Sequence, residues 1–356
     1  MELSEDVAVF EQAAARFARE VVAEASGRLD ARDAGARRRV IDGARELGLL
    51  ALCAPESAGG LGQDVDALCA VLRPIAREDA GVASLLLVQA GGQRALARAN
   101  AWPEALAASD LVTWPAFGVA GAAPRLRVTA EGRVEGSLEL VPFADVASHL
   151  VADARDAAGI DRLACLPALE RGVAREPAKA LGLSCMAPFD LSLAGVATSA
   201  VAESSALSDD EARAWLSLGA SAVALGLLEG SLATALDYAR QRRQGGKRIV
   251  EWGEVRRMLA DLHRSASVLA SALSGALARR RRDDPGWRDD AHVLALEATE
   301  RACSGTTDGV QLLGGNGYTK AYPQERRMRD ARQLRALLGP AHARRRAACD
   351  AWLGVG

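Results

Sequence analysis

The C-terminal part of the chain is a series of long helical stretches with short breaks between them. The spacing of apolar residues predicts four helices, over residues 211–243, 255–281, 289–313 and 324–352. The first stretch is rich in Ala and Leu, and Asp283-Asp284-Pro285-Gly286 ends the second. Long helices joined by short connections pack as neighbours, so the pattern predicts a four-helix bundle.

The rest of the chain divides into a helical part and a β part. Helical spacing predicts N-terminal helices, including residues 37–49, 65–79 and 82–98. From about Leu111 apolar and polar residues alternate, and residues 124–139 are typical of a hairpin. Further strands are expected at residues 149–152, 161–166 and 190–193. We therefore expect a mainly α protein with a central β domain, divided into residues 1–109, 110–205 and 206–356.

Composition argues against several classes of partner. A formal net charge of −2 gives no electrostatic reason to expect nucleic acid or an anionic membrane. No uninterrupted apolar run approaches the roughly 20 residues that span a bilayer, and the acidic N-terminus is unlike a secretory signal. The six cysteines are scattered, and the four histidines form no cluster with metal-ligand spacing. The sequence predicts a cytoplasmic protein with reduced thiols and no metal site.

The most specific motif lies in residues 307–339. It contains Gly314-Gly315-Asn316-Gly317, then Tyr322-Pro323 and Arg329-Asp330-Ala331. Three shorter motifs precede it, in residues 55–62, 238–247 and 255–262. Together they resemble the acyl-CoA dehydrogenase family of flavoproteins over nearly the whole chain. The resemblance implies an N-terminal helical domain, a β-barrel-like middle domain and a C-terminal four-helix bundle.

The resemblance also implies an FAD site at a subunit interface. Arg242 matches the arginine that meets the FAD pyrophosphate, because a guanidinium offers a diphosphate bidentate donors. Gln311, Gly314 and Gly315 match the segment that meets the adenosine half, where glycines let the backbone come close. An ordinary helix end would need the same glycines. Thr113 is retained from a family segment that cradles the flavin and the thioester.

Other positions depart from the family. An aromatic residue of the family falls at Gly245, and a flavin-contact Trp-Ile-Thr motif falls at Leu140-Val141-Pro142. Leucine and proline supply neither the indole that packs on the flavin nor the hydroxyl that would bond it. The half of the site that would hold the flavin ring is therefore poorly matched.

The catalytic base of the family is missing as well. The family places a Glu either at the position of Leu338 or, in a minority of members, at that of Leu216, where an adjacent arginine is replaced by Ser217. Removal of an α-proton needs a titratable group, which leucine lacks. Glu211 is better explained by the helix dipole, and His342, four residues after Leu338 on one predicted helix face, by a surface or packing role.

Three functions remain open. The first is a non-catalytic subunit of a heteromeric, FAD-dependent acyl-CoA dehydrogenase, a dimer or tetramer in which a base-containing paralogue carries the chemistry. The second is a self-sufficient flavoenzyme with a relocated base or with an elimination or oxygenation reaction. The third is a non-enzymatic scaffold that keeps only the fold. The retained cofactor residues together with the two leucines favour the first.

Overall fold

The N-terminal part of the chain is helical, as the sequence predicts. The structure is a computed structural model that describes residues 5–115, 125–203 and 206–353. Its first helices are α1 (Glu5–Phe17), which continues through a π-helical turn (Ala18–Val22) into α2 (Ala23–Asp30), then α3 (Ala34–Glu46), α4 (Val65–Glu78) and α5 (Ala80–Arg98). Asp33, Asp64 and Asp79 cap α3, α4 and α5 by accepting hydrogen bonds from backbone N–H groups of the first turn.

The middle part is an eight-stranded sheet. Its strands are β1 (Val112–Thr113), β2 (Leu126–Val128), β3 (Arg133–Val141), β4 (His149–Arg155), β5 (Asp161–Pro167), β6 (Val173–Pro177), β7 (Phe189–Ala197) and β8 (Ala200–Glu203). They lie in the order β6-β7-β3-β2-β4-β5-β8, and β1 pairs with β4 in parallel. The hairpin expected in residues 124–139 is the antiparallel pair β2 and β3. Strands β1, β6 and β8 were not predicted from the sequence.

The C-terminal part contains the long helices of the predicted bundle. They are α6 (Ala206–Gln241), α7 (Gly253–Arg281), α8 (Trp287–Leu313), α9 (Gln324–Leu337) and α10 (Ala341–Leu353). A short hairpin of β9 (Arg243–Gln244) and β10 (Lys247–Arg248) joins α6 to α7. The expectation of one helix over residues 324–352 was wrong, because Gly339 takes φ +87° and Pro340 cannot donate a helical hydrogen bond. Leu338 and His342 therefore do not share a helix face.

The central helix of the fold is α6, which packs against α4, α5, α7, α8 and α9. One 18-residue window within residues 210–241 has a mean hydropathy of 1.5, so by length and composition this helix qualifies as a membrane span. The expectation from the sequence was limited to uninterrupted apolar runs, so it did not include this helix. Since 83% of that window is buried inside the protein, its apolar surface already serves the core.

Close packing of α6 depends on small residues. A Cβ atom on Gly226 would lie 2.4 Å from the Arg73 carbonyl oxygen of α4, and one on Gly219 would lie 2.4 Å from Leu87 Cδ1 of α5. Most buried apolar residues of the described chain belong to a single cluster that runs through the helical and the β parts. The domain boundaries therefore stay a prediction.

Candidate functional site

Four of the five residues predicted to bind a cofactor line one cavity, named here the Arg242 cavity. It has a volume of about 440 Å³ and lies where the end of α6, the β9–β10 hairpin and the end of α8 meet. Its wall consists of Tyr238, Arg242, Gln244, Ile249, Trp252, Val255, Gln311, Leu312, Leu313, Gly314, Gly315 and Asn316. Its volume is within the range of about 300–1,000 Å³ that is typical of ligand sites.

Arg242 is held by its backbone and leaves its side chain available. Its N–H donates to the Tyr238 carbonyl oxygen at 2.9 Å, and its own carbonyl accepts from Ile249 N at 2.8 Å. The side chain is exposed, and among the described residues its guanidinium has no hydrogen-bond or ion-pair partner. A fixed backbone with an unpaired guanidinium suits recognition of an anionic ligand.

The glycines after α8 serve both the helix end and the cavity. Gly314 has φ +56° and ψ −135°, a conformation that favours glycine, and its N–H donates to the Gln311 carbonyl oxygen. Gly315 has no positive φ, and a Cβ on either glycine would meet no atom within 4 Å. The helix end thus explains Gly314, while the open space beside Gly315 lets a ligand approach the backbone.

Polar and aromatic contacts hold this glycine turn against α6. Asn316 Nδ2 donates to the Tyr238 hydroxyl at 2.9 Å, and the Tyr238 ring makes an edge contact with Tyr322 at 5.5 Å between centroids. Three helix ends meet at the cavity, and the start of α7 has the opposite polarity to the ends of α6 and α8. The start of α7 and Arg242 favour phosphates, and the carbonyl end of α8 favours donors such as ribose hydroxyls. The cavity therefore fits the adenosine diphosphate half of FAD.

A second cavity, the Leu140 cavity, lies between the sheet and α9. It has a volume of about 230 Å³ and is lined by Pro115, Glu139, Leu140, Pro142, Ala180, Gly182, Leu183, Met186, Pro188, Gln333, Ala336 and Leu337. Leu140 has φ +56° at a register shift between β3 and β7, and its N–H donates to Asp190 Oδ1 at 2.9 Å. Two positions of the lost flavin-contact motif are thus in its wall.

Thr113 lies apart from the Arg242 cavity. It is fully buried in β1, and its hydroxyl donates to the Pro142 carbonyl oxygen at 2.6 Å. Its role in cofactor binding stays a prediction, and the fold gives its hydroxyl a protein partner instead.

Both positions where the family carries a base are buried and apolar. Leu338 is 8% exposed and directly follows α9, whose last turn lines the Leu140 cavity. Leu216 is 2% exposed, and its Cδ2 lies 2.5 Å from where a Cβ on Gly91 would be. The Trp114 ring packs at the same place, 3.2 Å from that Cβ position. Leu216 therefore fills the space between α6, α5 and Trp114.

The other candidate bases have structural partners or lie on the surface. The Glu211 carboxylate pairs with Arg98 at 2.7 Å and with Arg94 at 3.6 Å, which ties the start of α6 to α5. His342 is exposed on α10. Neither residue lines the two cavities.

Sequence reasoning missed a Ser-His-Asp contact between α6 and α8. Ser217 Oγ lies 3.1 Å from His292 Nδ1, and His292 Nε2 lies 3.3 Å from Asp210 Oδ1, so the imidazole lowers the pKa of Asp210. Asp210 and Ser217 are seven residues apart on one helix face, but no sequence signal connects them to His292. Because the Ser217 hydroxyl donates to the Arg213 carbonyl oxygen at 2.9 Å, it serves as a structural link rather than a nucleophile.

Comparison with known families identifies the fold. Residues 4–99 match the model of the acyl-CoA dehydrogenase N-terminal domain, and residues 215–351 match that of the acyl-CoA dehydrogenase C-terminal domain. The chain belongs to the acyl-CoA dehydrogenase family. A short-chain specific acyl-CoA dehydrogenase of Megasphaera elsdenii is 34% identical over 115 residues, 32% of this chain and 30% of that protein. Each such match spans about 30% of the length of the curated relative.

Solved structures show the same fold over the whole chain. Butyryl-CoA dehydrogenase of Megasphaera elsdenii has a TM-score of 0.88 at 21% identity and covers 99% of both chains. A chain of the ChsE4-ChsE5 complex of Mycobacterium tuberculosis has a TM-score of 0.83 at 24% identity and covers 98% of both chains. The predicted architecture of a helical bundle, a central sheet and N-terminal helices is confirmed.

Proposed function

We propose that this chain is the non-catalytic subunit of a heteromeric, FAD-dependent acyl-CoA dehydrogenase. The observation that carries the proposal is a contrast between two parts of the chain. Arg242, Gln311, Gly314 and Gly315 line one open cavity, whereas Leu338 and Leu216 are buried leucines. A chain that binds a cofactor without supplying a base completes a site whose chemistry belongs to a partner.

Each retained residue has a defined role in such a site. FAD, when bound, supplies the hydride acceptor for α,β-dehydrogenation of an acyl-CoA. Arg242 binds its diphosphate through charge-assisted hydrogen bonds, and Gln311 with the Gly314-Gly315 backbone binds the adenosine half. The Leu140 cavity offers a flavin ring neither the indole nor the hydroxyl that the family uses. The ring is therefore assigned to the partner.

The proposed assembly has a precedent among the fold neighbours. One neighbour was determined as a complex of two differently named proteins, ChsE4 and ChsE5. We propose a mixed dimer or tetramer with an acyl-CoA dehydrogenase paralogue that carries the catalytic Glu. A cytoplasmic location belongs to the same proposal.

The test compares the chain alone with the chain co-expressed with a base-containing paralogue. Acyl-CoA-dependent reduction of an artificial electron acceptor should be absent for the chain alone and present for the mixed assembly. Arg242→Ala should weaken FAD binding by the assembly about 10- to 150-fold, because a hydrogen bond to a charged group contributes about 1.5–3 kcal/mol. Arg264→Ala is the control, since Arg264 is an exposed arginine of α7 that pairs with Asp261 outside the cavity.

One observation favours a second candidate, a self-sufficient flavoenzyme. Glu139 is the carboxylate among the described residues around the Leu140 cavity, and it pairs with Arg125 at 3.1 Å. Robust turnover by the chain alone that is lost in Glu139→Gln would make Glu139 the relocated base and overturn the silent-subunit proposal. A chain that binds neither FAD nor a paralogue would instead be a scaffold.

A further inference from the structure

A group of arginines lies where α9 and α10 pack on α8, and the proposed function gives it no role. The arginine cluster, as named here, consists of Arg332 and Arg335 of α9 and Arg344 and Arg345 of α10. None of the four residues lines the Arg242 cavity or the Leu140 cavity. The cluster therefore belongs to a part of the surface that neither of those sites uses.

Two threonines of α8 orient members of the cluster. Arg332 Nη2 donates to Thr307 Oγ1 at 3.3 Å, and Arg344 Nη2 donates to Thr299 Oγ1 at 3.4 Å. The threonines are eight residues apart, so they lie on the same side of α8. Both distances are longer than the usual range of about 2.7–3.2 Å for an N–H···O hydrogen bond. The hydroxyls therefore position the guanidiniums without satisfying them.

Positive charge in the cluster exceeds negative charge. Glu300 of α8 is the carboxylate that faces Arg344, and it already pairs with Arg345. Arg335 has no hydrogen-bond or ion-pair partner in the described part of the chain. Burial lowers the pKa of Arg344, and Arg335 and Arg345 add to this effect as like charges. Around Arg344, one carboxylate among the described residues thus faces three guanidiniums.

Arg344 is held half-buried without a carboxylate of its own. Its Nε is buried and has no hydrogen-bond partner among the described residues. It lies in the first turn of α10, where the helix has its positive end and no acidic residue. A cation at that end is unfavourable, and removing a guanidinium from water without a counter-charge costs free energy. An anion bound beside the Arg344 guanidinium would offset both effects.

We propose that the arginine cluster binds a phosphate group between Arg335 and Arg344. A phosphate dianion has three acceptor oxygens and about two negative charges, so it can bond to two guanidiniums at once. A carboxylate would balance only one of the charges. The inference goes beyond the proposed function, because it involves neither the flavin nor the acyl chemistry. Inorganic phosphate and a phosphomonoester of a larger molecule present the same group, and the test separates these two sources.

The test measures binding of inorganic phosphate and of methyl phosphate to the full-length chain by titration calorimetry, with sodium chloride at matched ionic strength as the reference. Inorganic phosphate should bind the wild type and raise its melting temperature as its concentration rises, because a ligand of the folded state stabilises that state. Chloride at the same ionic strength should give no such increase, since it reproduces only the screening by salt.

Three variants locate the site. Arg344→Ala should weaken phosphate binding about 10- to 150-fold, the loss expected when a hydrogen bond to a charged group is removed. Arg335→Ala should weaken it as well, and this side chain is exposed and unpartnered in the described chain, so its removal leaves the packing intact. Arg346→Ala is the matched control on the same helix, because the Arg346 side chain is 85% exposed and pairs with Asp350 at 3.7 Å. It removes the same charge and should leave phosphate binding unchanged.

The outcomes separate the source of the group from failure of the inference. Similar affinities for inorganic phosphate and methyl phosphate would identify a phosphomonoester of a larger molecule as the ligand, whereas binding of inorganic phosphate alone would identify the free ion. An equal loss in Arg346→Ala and Arg344→Ala would indicate non-specific attraction and would overturn the site. Phosphate affinity that neither Arg335→Ala nor Arg344→Ala changes, or absence of binding up to millimolar concentration, would overturn it as well.

Discussion

Replacing Leu216 with glutamate tests whether this position, where a minority of the family carries the catalytic Glu, is part of the core in this protein. Leu216 is 2% exposed and packs between Gly91 of α5 and the Trp114 ring. If the packing is as described, a glutamate there enters an apolar space with no partner. If the position instead opens onto a substrate site, the same carboxylate is hydrated and the free energy of unfolding changes little.

The expected loss of stability is large. Burial of a complete leucine side chain contributes about 1.5–3 kcal/mol, and an unpaired buried carboxyl group costs a further 1–3 kcal/mol or so even when protonated. We therefore expect the free energy of unfolding to fall by about 2.5–6 kcal/mol. With an unfolding entropy of about 2.1 cal/mol/K per residue, a chain of 356 residues loses about 3–8 °C of melting temperature.

The effect should also depend on pH. Burial raises the pKa of a carboxyl group, so between its unfolded and folded pKa the glutamate is ionised in the unfolded chain and protonated in the folded chain. The folded state then binds more protons, and stability falls as pH rises. Leu216→Gln has nearly the same shape and no charge, so its melting temperature should follow the wild type in parallel.

The assay is thermal unfolding of wild type, Leu216→Glu and Leu216→Gln from pH 5 to pH 8. The difference in melting temperature between Leu216→Glu and Leu216→Gln should increase toward pH 8. A Leu216→Glu variant that melts with the wild type at every pH would refute the packing argument. Leu216 would then face water or a substrate site, and a self-sufficient enzyme would become the better hypothesis.

Three further predictions concern pH, cofactor content and assembly. Asp330 is buried and accepts a hydrogen bond from Leu183 N at 2.6 Å, and burial together with the Asp79 carboxylate raises its pKa to about 7. Because this folded pKa is above the unfolded value of 3.8, stability should fall as pH rises toward 7. Asp330→Asn keeps the hydrogen-bond acceptor and should flatten the dependence of melting temperature on pH. Parallel profiles for the variant and the wild type would contradict this. The chain expressed alone should contain less than one FAD per chain, measured by flavin absorbance after release, because the ring-side contacts are missing; full occupancy would refute it. Light scattering should give a dimer or tetramer, as the proposed assembly requires, with Val268 of α7 and Val293 of α8, 49% and 50% exposed, among the apolar residues that an interface would cover; a monodisperse monomer would refute this.

The sequence alone determined most of the helices, part of the sheet and the residue types at the two positions where the family carries its base. Periodicity predicts α6, α7 and α8 to within a few residues because helical spacing depends on near neighbours in the chain. The absence of a titratable group at Leu338 and Leu216 is also a sequence property, since a leucine has none in any fold. The helix break at Gly339-Pro340 could also be predicted from the sequence, because a proline disfavours the helical conformation in the residue before it. The prediction of a single last helix did not take this into account.

Only the tertiary structure decided which residues meet. It brings Arg242 to Gln311, Trp252 over Gly245, Glu139 into a cavity beside α9, and Ser217 to His292 and Asp210. It also makes α6, a helix long and apolar enough to span a membrane, part of the core, and it gives the Thr113 hydroxyl a backbone partner. Periodicity shows which side of a helix is apolar but does not identify the neighbour on that side. That neighbour is determined by how whole surfaces pack, which involves residues far apart in the chain.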